Sequence, residues 1–409
     1  MMSKTEDFFK QMNWALHPWV TNFSLTEGVN DLPVKLLGYF YDPKTDEFFV
    51  NFKINLFPKR RGKPGGPDLQ IDEDPLLYIH RCGKFTRRLA LRVSNSVFCI
   101  SGRLQALQVQ CRLCFRQAFL MNPESKWDDE LSPETLSLYA TLFKNIRQSN
   151  GYRWPRLIID QEGHIETPHY PMLLAIGDAS LVASAMRIYL FTQPPNKVEK
   201  HASLIFGKSQ IAKLKEIGED ALSVPRMECN AAWLGASAIL ALLQSLEIRI
   251  QRTVLLTDSE TVYHWANANP LYMSKFIGNK TKLIQSAFNK NNIFHLPSQH
   301  NIVDYDSKWQ PDISCESQEK HSTGDWVKLP LSEWPVSQPK LGKNLVSSLP
   351  EVLSTFNSGN INIFNDVGNF LLPSTKSQRP QLSDSQISQA FHFEPRLYQM
   401  SPNLRLENK

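Results

Sequence analysis

The chain has 409 residues, of which 42% are hydrophobic and 21% are charged, and its formal net charge is +5. This composition supports two or three ordinary globular domains. It excludes a helical membrane protein, because no apolar run reaches the ~18–20 residues that a spanning helix needs. The polar segment Met1–Lys10 is also unlike a secretory signal. We therefore expect an intracellular protein, cytoplasmic or nuclear, that is not secreted and has no membrane partner.

Strands and helices alternate with loops in the first part of the chain. Val34–Tyr41 and Glu47–Asn55 are predicted strands separated by a turn-forming segment. A basic loop rich in Pro and Gly, Phe57–Asp74, follows them. Helices are predicted over Phe85–Met121 and over Ser132–Asn145, which begins with a capping serine and a proline.

Positive charge is concentrated between Asn51 and Leu120, where 13 Lys and Arg stand against 4 Asp and Glu. Such a basic block suits an anionic partner, most simply the phosphate backbone of a nucleic acid. A solvated basic face without a partner explains the charge pattern equally well.

The chain contains six cysteines, which an intracellular protein keeps as reduced thiols. Cys111 and Cys114 have the spacing of metal ligands, and His80 and Cys82 lie upstream. A second matching Cys pair is missing, and Leu107–Leu120 is predicted as a helix. We therefore favour a buried helical face over a zinc site for this pair.

After Ile159 the pattern changes to that of an α/β domain, with three strands followed by alternating helices and strands. The predicted elements are Met172–Ala179, Ala185–Thr192, His201–Ile211, the helix Arg226–Leu246, Arg252–Thr257, the helices Glu260–Ala266 and Lys275–Asn289, and Asn292–Pro297. Beyond Trp334 the sequence is dominated by Ser, Pro, Asn and Gln. Residues 335–409 are predicted to be disordered or the remnant of a truncated domain.

Four acidic residues stand where these elements begin or end. Asp178 and Asp258 end predicted strands, Glu228 opens the long helix, and Asp304 follows the last strand. Functional groups of α/β sheets collect at such positions because the ends converge on one crevice. Each acid alone is typical of a helix cap or a loop. The order Asp, Glu, Asp, Asp on successive elements is what predicts a shared site.

Four converging carboxylates predict bound metal, because without it they repel one another strongly. Mg²⁺ prefers such hard oxygen ligands. Two ions roughly 3.5–4 Å apart can neutralise the attacking and leaving oxygens when water cleaves a phosphodiester. The residues therefore indicate a site for two Mg²⁺ or Mn²⁺ ions. His300, near Asp304, is a candidate for proton transfer, although an ordinary surface histidine fits the sequence better.

An ordered series of motifs resembles the RNase H-like domain of BEL/Pao long-terminal-repeat retrotransposons. Gly207–Lys215 is similar to the family's Ala-Lys-Ser-Arg-Val-Ala-Pro-Leu-Lys segment, and Val224–Ala232 resembles its Ile-Pro-Arg-Leu-Glu-Leu-Leu-Ala-Ala helix start. Leu255–Ser259 with Trp265 is like its Trp-Thr-Asp-Ser...Trp stretch. His295–Ser307 parallels its His-Val-Pro-Gly-x-x-Asn-Pro-Ala-Asp-x-x-Ser segment.

The resemblance extends to further motifs in the N-terminal part of the chain and to one near residue 275. Lys275–Lys280 is like the family's Val-Phe-Val-Ala-Asn-Arg, and Leu36–Asp46 resembles the Val-Leu-Gly-Leu-x-Trp-x-Pro-x-x-Asp segment that follows its polymerase palm. Thr86–Arg88 is similar to its Thr-Lys-Arg, and Lys126–Pro133 to its Trp-Asp-Asp-x-Leu-Pro. The individual motifs are weak, whereas their order is specific.

The resemblance implies an RNase H-like mixed sheet with flanking helices over residues 165–312. It also implies a smaller α+β region, like the thumb and connection of a reverse transcriptase, over residues 1–150. The implied activity is that of a ribonuclease H-type endonuclease on the RNA strand of RNA/DNA hybrids, with Asp178, Glu228, Asp258 and Asp304 as catalytic metal ligands. The residues implied to contact the hybrid are Lys59, Arg60, Arg61, Lys63, Arg87, Arg88 and Arg92.

The chain departs from the family pattern at several points. The aromatic-x-Asp-Asp hairpin of the polymerase and the Asp-Thr-Gly or Asp-Ser-Gly of aspartic proteases are absent, so neither activity is expected. Cys99-Ile100 replaces the family's Asp-Pro, Ile302 replaces a Pro, and Ser307-Lys308-Trp309 replaces Ser-Arg-Gly. Three alternatives remain open: an active RNase H, a catalytically inactive nucleic-acid-binding relic or host-recruited fragment, and a product that folds poorly without the palm.

Overall fold

The computed structural model describes residues 9–12, 32–36, 38–60, 63–99, 101–156, 169–193, 201–212, 223–246, 248–322 and 324–339. The chain forms two compact units. Unit 1 comprises Met1–Phe98, Gln117–Ile158 and Asp312–Glu319, and unit 2 comprises Cys99–Arg116, Ile159–Pro311 and Lys320–Lys409. Each unit therefore contains segments that are distant in the sequence, whereas the predicted domains are continuous.

The predicted elements of unit 2 all recur in the structure, with ends shifted by a few residues. The strands are β1 (Val34–Leu36), β2 (Tyr39–Asp42), β3 (Glu47–Phe49), β4 (Lys59–Arg60), β5 (Lys63–Pro64), β6 (Arg153–Pro155), β7 (His169–Ala179), β8 (Ala183–Gln193), β9 (His201–Ile211), β10 (Arg252–Thr257) and β11 (Ile293–His295). The α-helices are α1 (Pro75–Arg81), α2 (Arg87–Ser94), α3 (Gln105–Leu120), α4 (Pro133–Gln148), α5 (Val224–Ser245), α6 (Glu260–Asn267), α7 (Lys275–Ala287), α8 (Asp304–Ser307) and α9 (Cys315–Lys320). Among the described helices, none is long and apolar enough to cross a membrane.

Unit 1 is built on an antiparallel sheet with the strand order β1-β2-β3-β6. Helices α2 and α4 begin where the sequence predicts, because Thr86 and Ser132 accept hydrogen bonds from the backbone N–H groups of their first turns. Phe85, Tyr139 and Phe143 form an aromatic cluster beside these helices, with all three side chains buried. Unit 1 thus combines an antiparallel sheet with helices.

Unit 2 contains a five-stranded sheet with the order β11-β10-β7-β8-β9. Strands β7, β8 and β9 are antiparallel neighbours, whereas β10 and β11 run parallel to β7. A parallel connection needs a crossover, and helix α5 supplies it between β9 and β10. The mixed sheet with flanking helices that the sequence predicts is therefore confirmed.

Both faces of this sheet are covered, which explains why β7 and β8 are buried along most of their length. On one face, side chains such as Leu173 and Ile188 pack with helices α5, α6 and α7. On the other face, Tyr189 and Phe191 pack with residues from beyond α8, including Trp326 and Trp334.

The C-terminal end of the described chain is thus part of unit 2. Ser337 exchanges backbone hydrogen bonds of 2.9 Å with His295 of β11. The ordered segment therefore runs past residue 312, where the predicted domain ends, and into the predicted tail 335–409. Residues 340–409 of that tail lie outside the described residues.

The N-terminal part of α3 also belongs to unit 2. Val109 and Leu113 pack against Ala183, and the backbones of Gly102 and Gly207 approach so closely that a Cβ at Gly102 would lie 2.3 Å from Gly207. Cys111 and Cys114 are fully buried on this helix. Burial raises the pKa of Cys111 to about 12. These cysteines thus occupy the buried helical face that the sequence favours.

Candidate active site

Asp178 lies at the end of the central strand β7, next to its last residue, and its side chain is 4% exposed. Two side chains from beyond β11 hold its carboxylate. The Asn301 amide donates to Oδ1 at 3.3 Å, and the Ser307 hydroxyl donates to Oδ2. Asn301 also donates to the Gly177 carbonyl at 3.2 Å, which ties this amide to the strand end.

Asp258 directly follows the neighbouring parallel strand β10. Thr257 pairs with Gly177 in the sheet, so the next residues along these two strands are Asp258 and Asp178. The Oδ1 atom of Asp258 is buried and has no hydrogen-bond partner in the described part of the protein. A buried carboxylate oxygen without a donor is costly, and it marks a position that a cation or a water can fill.

Glu228 lies in the first turn of α5, and close packing of α5 on β7 brings this turn to the strand end. A Cβ added at Gly177 would lie 3.3 Å from Ala231, and one at Gly235 would lie 3.3 Å from Ala175. Such a close approach requires the small residues found at these positions. The Ser259 side chain, which caps α6, hydrogen-bonds the Glu228 carboxylate.

Asp304 begins the short helix α8 and is half-buried. It forms an ion pair with Lys308, four residues later, whose ammonium donates to Oδ1. The side chains of these two residues are 40% and 50% exposed, respectively. Lys308 also interacts electrostatically with Asp178 and Asp258, and the bond to Asp304 is the main cause of its raised pKa. This lysine therefore places a positive charge within reach of three of the four acids.

A second aspartate of α8 anchors the helix to the sheet. Asp306 and Arg187 of β8 form a two-bond ion pair, with distances of 2.5 Å from Nε to Oδ2 and 2.8 Å from Nη2 to Oδ1. Their side chains are 0% and 3% exposed. The Arg187 guanidinium also donates to the carbonyl of His321, whose ring stacks on Tyr305 at 4.2 Å. This pair fixes the helix that carries Asp304 and Ser307.

The acids influence one another electrostatically. Burial, followed by the charge of Asp258, raises the pKa of Asp178 to about 7, although the Ser307 hydrogen bond acts in the opposite direction. The charge of Asp304 also raises the pKa of Asp178. Burial raises the pKa of Glu228, and the charge of Asp258 contributes to that rise. The structure thus brings the four predicted acids into one electrostatically coupled region of unit 2.

Comparison with protein families gives a match that includes three of these acids. Residues 86–259 match the family model described as Pao retrotransposon-like RNaseH-like domain. This part of the chain is therefore similar to that RNase H-like domain. Asp178, Glu228 and Asp258 lie within the matched residues, and Asp304 lies beyond them. The match begins at Thr86, inside the residues 1–150 that the motifs place in a reverse-transcriptase region.

Two further comparisons give no functional argument. The search of curated proteins finds no matching sequence. Among solved structures, the chain is similar to the N-terminal RNase H domain of a Mycobacterium tuberculosis protein, solved as a fusion with maltose-binding protein. The sequence identity is 11%, the TM-score is 0.23, and the match covers 37% of this chain and 96% of that one. At these values the likeness carries no argument.

The four acids suit a hard divalent cation by their chemistry. They offer only oxygen donors, their charges repel, and one buried oxygen of Asp258 lacks a donor. Within the described residues, however, no group of three or more His, Cys, Asp or Glu side chains is arranged to hold a metal ion. Instead, Ser307, Asn301 and Lys308 bind carboxylate oxygens. The donor atoms are therefore of the type that a hard cation prefers, whereas their arrangement among the described residues is not that of a metal site.

Sequence reasoning did not single out Asn301 and Ser307 as site residues. Both contact Asp178, at separations of 123 and 129 residues along the chain. The signal that could have found them is the Asn-x-x-Asp-x-x-Ser spacing around Asp304. His300 is the sequence candidate for proton transfer. Its ring forms a hydrogen bond of 3.2 Å with the side chain of Gln299, and its backbone carbonyl accepts a hydrogen bond from Trp326.

The predicted nucleic-acid contacts all lie in unit 1, and several of them have structural partners. The buried Arg87 donates to the carbonyls of Asn122 and Ser125, and its guanidinium stacks over Phe119. Arg88 forms an ion pair with Asp128 at 2.8 Å. Arg92 donates a hydrogen bond of 2.8 Å to the Asn55 carbonyl. The side chains of Lys59, Arg60 and Lys63, and the whole of Arg61, lie outside the described residues. Their role in binding stays a prediction.

Proposed function

We propose that the RNase H-like domain hydrolyses the RNA strand of RNA/DNA hybrids with the help of divalent cations. The observation that carries the proposal is the pair Asp178 and Asp258 on adjacent parallel strand ends. One carboxyl has its pKa raised to about 7, and the other has a buried oxygen without a donor. Structural ion pairs compensate such charges, whereas these two carboxylates repel each other.

In this proposal Asp178, Glu228 and Asp258 hold Mg²⁺ or Mn²⁺, with Asp304 as a fourth ligand. Bound cations would neutralise the charge that develops on the attacking and leaving oxygens of the phosphodiester. The protein's own part is to orient these carboxylates. Asn301 and Ser307 fix the Asp178 side chain, and the first turn of α5 presents Glu228.

The test is cleavage of an end-labelled RNA/DNA hybrid by the purified full chain with Mg²⁺, beside Asp178→Asn and Asp258→Asn. We expect the parent to cut only the RNA strand and each variant to lose at least about a hundredfold in rate, since each removes charge from the site. Glu333→Gln is the matched control, because Glu333 is an exposed acid of the same unit. Cleavage that persists in Asp178→Asn would place the activity in a contaminant and contradict the proposal.

A second function is favoured by one specific observation. The carboxylates of Asp178 and Asp304 already accept bonds from Ser307, Asn301 and Lys308, as they would in a domain that binds nucleic acid without cutting it. This alternative predicts salt-dependent hybrid binding in the parent, unchanged by Mg²⁺ and by Asp178→Asn, with no cleavage. A protease-resistant core that includes unit 2 would argue against a chain that folds poorly.

We also propose that unit 1 derives from the thumb and connection region of a reverse transcriptase. Its antiparallel sheet carries the Leu36–Asp46 motif on β1 and β2, and Thr86 and Ser132 of the later motifs cap α2 and α4. If unit 1 retains a role in holding the hybrid, Lys59→Gln/Lys63→Gln weakens hybrid binding and lowers its salt dependence. Unchanged binding by this variant would argue against that role.

A further inference from the structure

A surface on helices α5 and α7 combines aromatic rings with basic side chains. Arg226 and Trp233 lie seven residues apart on α5 and therefore on one face of that helix. Phe276 and Lys280 lie four residues apart on α7, which packs against α5. We refer to Arg226, Trp233, Lys275, Phe276 and Lys280 as the α5–α7 surface.

The side chains of this surface are in direct contact. The Lys280 ammonium lies 3.9 Å from the ring centroid of Trp233 and 5.0 Å from that of Phe276. It also donates to the amide oxygen of Asn230 at 2.7 Å. The Arg226 guanidinium lies 5.8 Å from the ring centroid of Phe276. The cations are therefore held in place by aromatic rings rather than extended into solvent.

Apolar groups remain exposed beside these cations. Phe276 is 38% exposed, and Tyr272 and Leu271, which precede α7, are 40% and 72% exposed. Lys275 and Lys282 are exposed on the same side of α7. Exposed rings next to positive charge are typical of surfaces that contact nucleic acid, because rings pack on sugars and bases while lysines neutralise phosphates.

The charge of the surrounding sequence favours an anionic partner. From Thr261 to Val303 the chain contains Lys275, Lys280, Lys282 and Lys290 and not a single Asp or Glu. This acid-free segment lies between two of the candidate metal ligands, Asp258 and Asp304, and begins after Glu260. Moreover, Arg226 is two residues from Glu228. The basic surface and the acids thus share α5 and the same stretch of unit 2.

We propose that the α5–α7 surface binds the sugar-phosphate backbone of the nucleic acid whose strand reaches the acidic site. Lys275 and Lys282, which are exposed on one side of α7, neutralise phosphates, and the Phe276 ring beside them packs on a sugar. This inference rests on the proposed function, because it names where the same domain holds its substrate. It differs from the sequence prediction, which places the phosphate contacts in unit 1.

The test measures binding of a labelled RNA/DNA hybrid to the full chain by fluorescence anisotropy, in EDTA so that no cleavage occurs, over a range of salt concentrations. For Lys275→Gln/Lys282→Gln we expect affinity to fall about tenfold and the salt dependence to decrease by about one ion per lysine removed. For Phe276→Ala we expect a several-fold loss with an unchanged salt dependence, because the ring contact is not ionic.

The matched control is Lys320→Gln/Lys328→Gln, which removes two exposed lysines of the same unit at the segment that covers the other face of the sheet. This control should bind like the parent. Lys280→Arg tests the ring contact, since arginine keeps the charge and stacks on aromatic faces, and it should retain binding. Circular dichroism and melting temperature confirm that each variant is folded.

Equal affinity and equal salt dependence in the parent and in Lys275→Gln/Lys282→Gln would overturn the inference. Competition by poly-glutamate as effective as that by the hybrid at equal charge would also overturn it, in favour of an acidic protein partner. Cleavage is scored separately with Mg²⁺. If the parent cleaves the hybrid and the surface variants bind it normally, only the inference about the α5–α7 surface is wrong. If the surface variants bind more weakly and the parent does not cleave, only the proposed enzymatic activity is wrong.

Discussion

Helix α8 contacts two groups of buried charges. In one group each charge is paired with an opposite charge, and in the other group two acids lie next to each other. Asp306 forms two hydrogen bonds with the guanidinium of Arg187, and both side chains are almost fully buried. Asp178 is equally buried, but its nearest charged neighbours include Asp258, which repels it. A protein gains nothing in stability from an uncompensated pair of acids. The comparison therefore supports a structural role for Arg187 and Asp306, and it agrees with the catalytic role that we propose for Asp178 and Asp258.

The largest expected effect comes from breaking the compensated pair. Arg187→Met leaves the Asp306 carboxylate buried without its partner, so the free energy of unfolding should fall by about 3–5 kcal/mol. Urea denaturation followed by circular dichroism measures the loss. The double variant Arg187→Met/Asp306→Leu should recover most of it, because no unpaired charge remains. A single variant as stable as the parent would show that the pair is not buried as described.

The next largest effect is the pH dependence of the free energy of unfolding, which the uncompensated acids cause. The pKa of Asp178 is raised from 3.8 to about 7 in the folded protein, so the folded state binds a proton more readily than the unfolded state. This contribution to stability is complete below the unfolded pKa and is lost as pH rises through the folded one. In EDTA, the free energy of unfolding should fall by about 3–4 kcal/mol between pH 4 and 7 from this group.

Asp178→Asn provides the matched comparison, since asparagine does not titrate. The fall due to Asp178 should be missing from this variant, whereas the contributions of other groups with shifted pKa values, such as Glu228 and His321, remain in both proteins. Identical pH slopes in the parent and in Asp178→Asn would show that Asp178 is not the titrating group.

A smaller effect is expected from adding metal. If the acids hold Mg²⁺, the ion at ten times its dissociation constant should increase the free energy of unfolding by about 1.4 kcal/mol at pH 8. Thermal denaturation with and without Mg²⁺ measures this gain. It should disappear in Asp258→Asn and persist in Glu333→Gln. A gain of equal size in all three proteins would indicate nonspecific ion binding.

The smallest effect on stability is expected at Lys308, which pairs with Asp304 beside the uncompensated acids. Its ion pair with Asp304 is exposed, so Lys308→Gln should change the free energy of unfolding by less than about 1 kcal/mol. Removing a positive charge next to the acids should, in contrast, tighten Mg²⁺ binding about two- to fivefold. Isothermal titration calorimetry measures this change. Weaker Mg²⁺ binding in the variant would mean that Lys308 supports the site.

Much of unit 2 could be predicted from the sequence because its signals are local. The strands β7 and β8 are long and mostly apolar, and α5 is a long Ala- and Leu-rich helix, so their positions follow from periodicity and composition. The acids could be placed at strand and helix ends for the same reason. Asp178 and Asp258 lie next to each other because β7 and β10 are parallel neighbours.

The features that could not be predicted depend on partners that are distant in the sequence. Nothing local distinguishes Asp306 from Asp304, yet one pairs with Arg187, 119 residues earlier, and the other with Lys308. The segment after α8 also lacks periodicity, because it consists of short 3-10 turns with isolated tryptophans. Such a segment is recognised as ordered only once the sheet face that it covers is known.

The interleaved path of the chain has a consequence for synthesis on the ribosome. Unit 1 needs Asp312–Glu319, and the second face of the unit 2 sheet is closed by Trp326 and Trp334. Neither unit can therefore complete its core while the nascent chain is shorter than these segments, even though every candidate metal ligand has already been translated. The sheet face that these residues cover is therefore exposed during that interval, and exposed apolar surface of this kind is prone to aggregation.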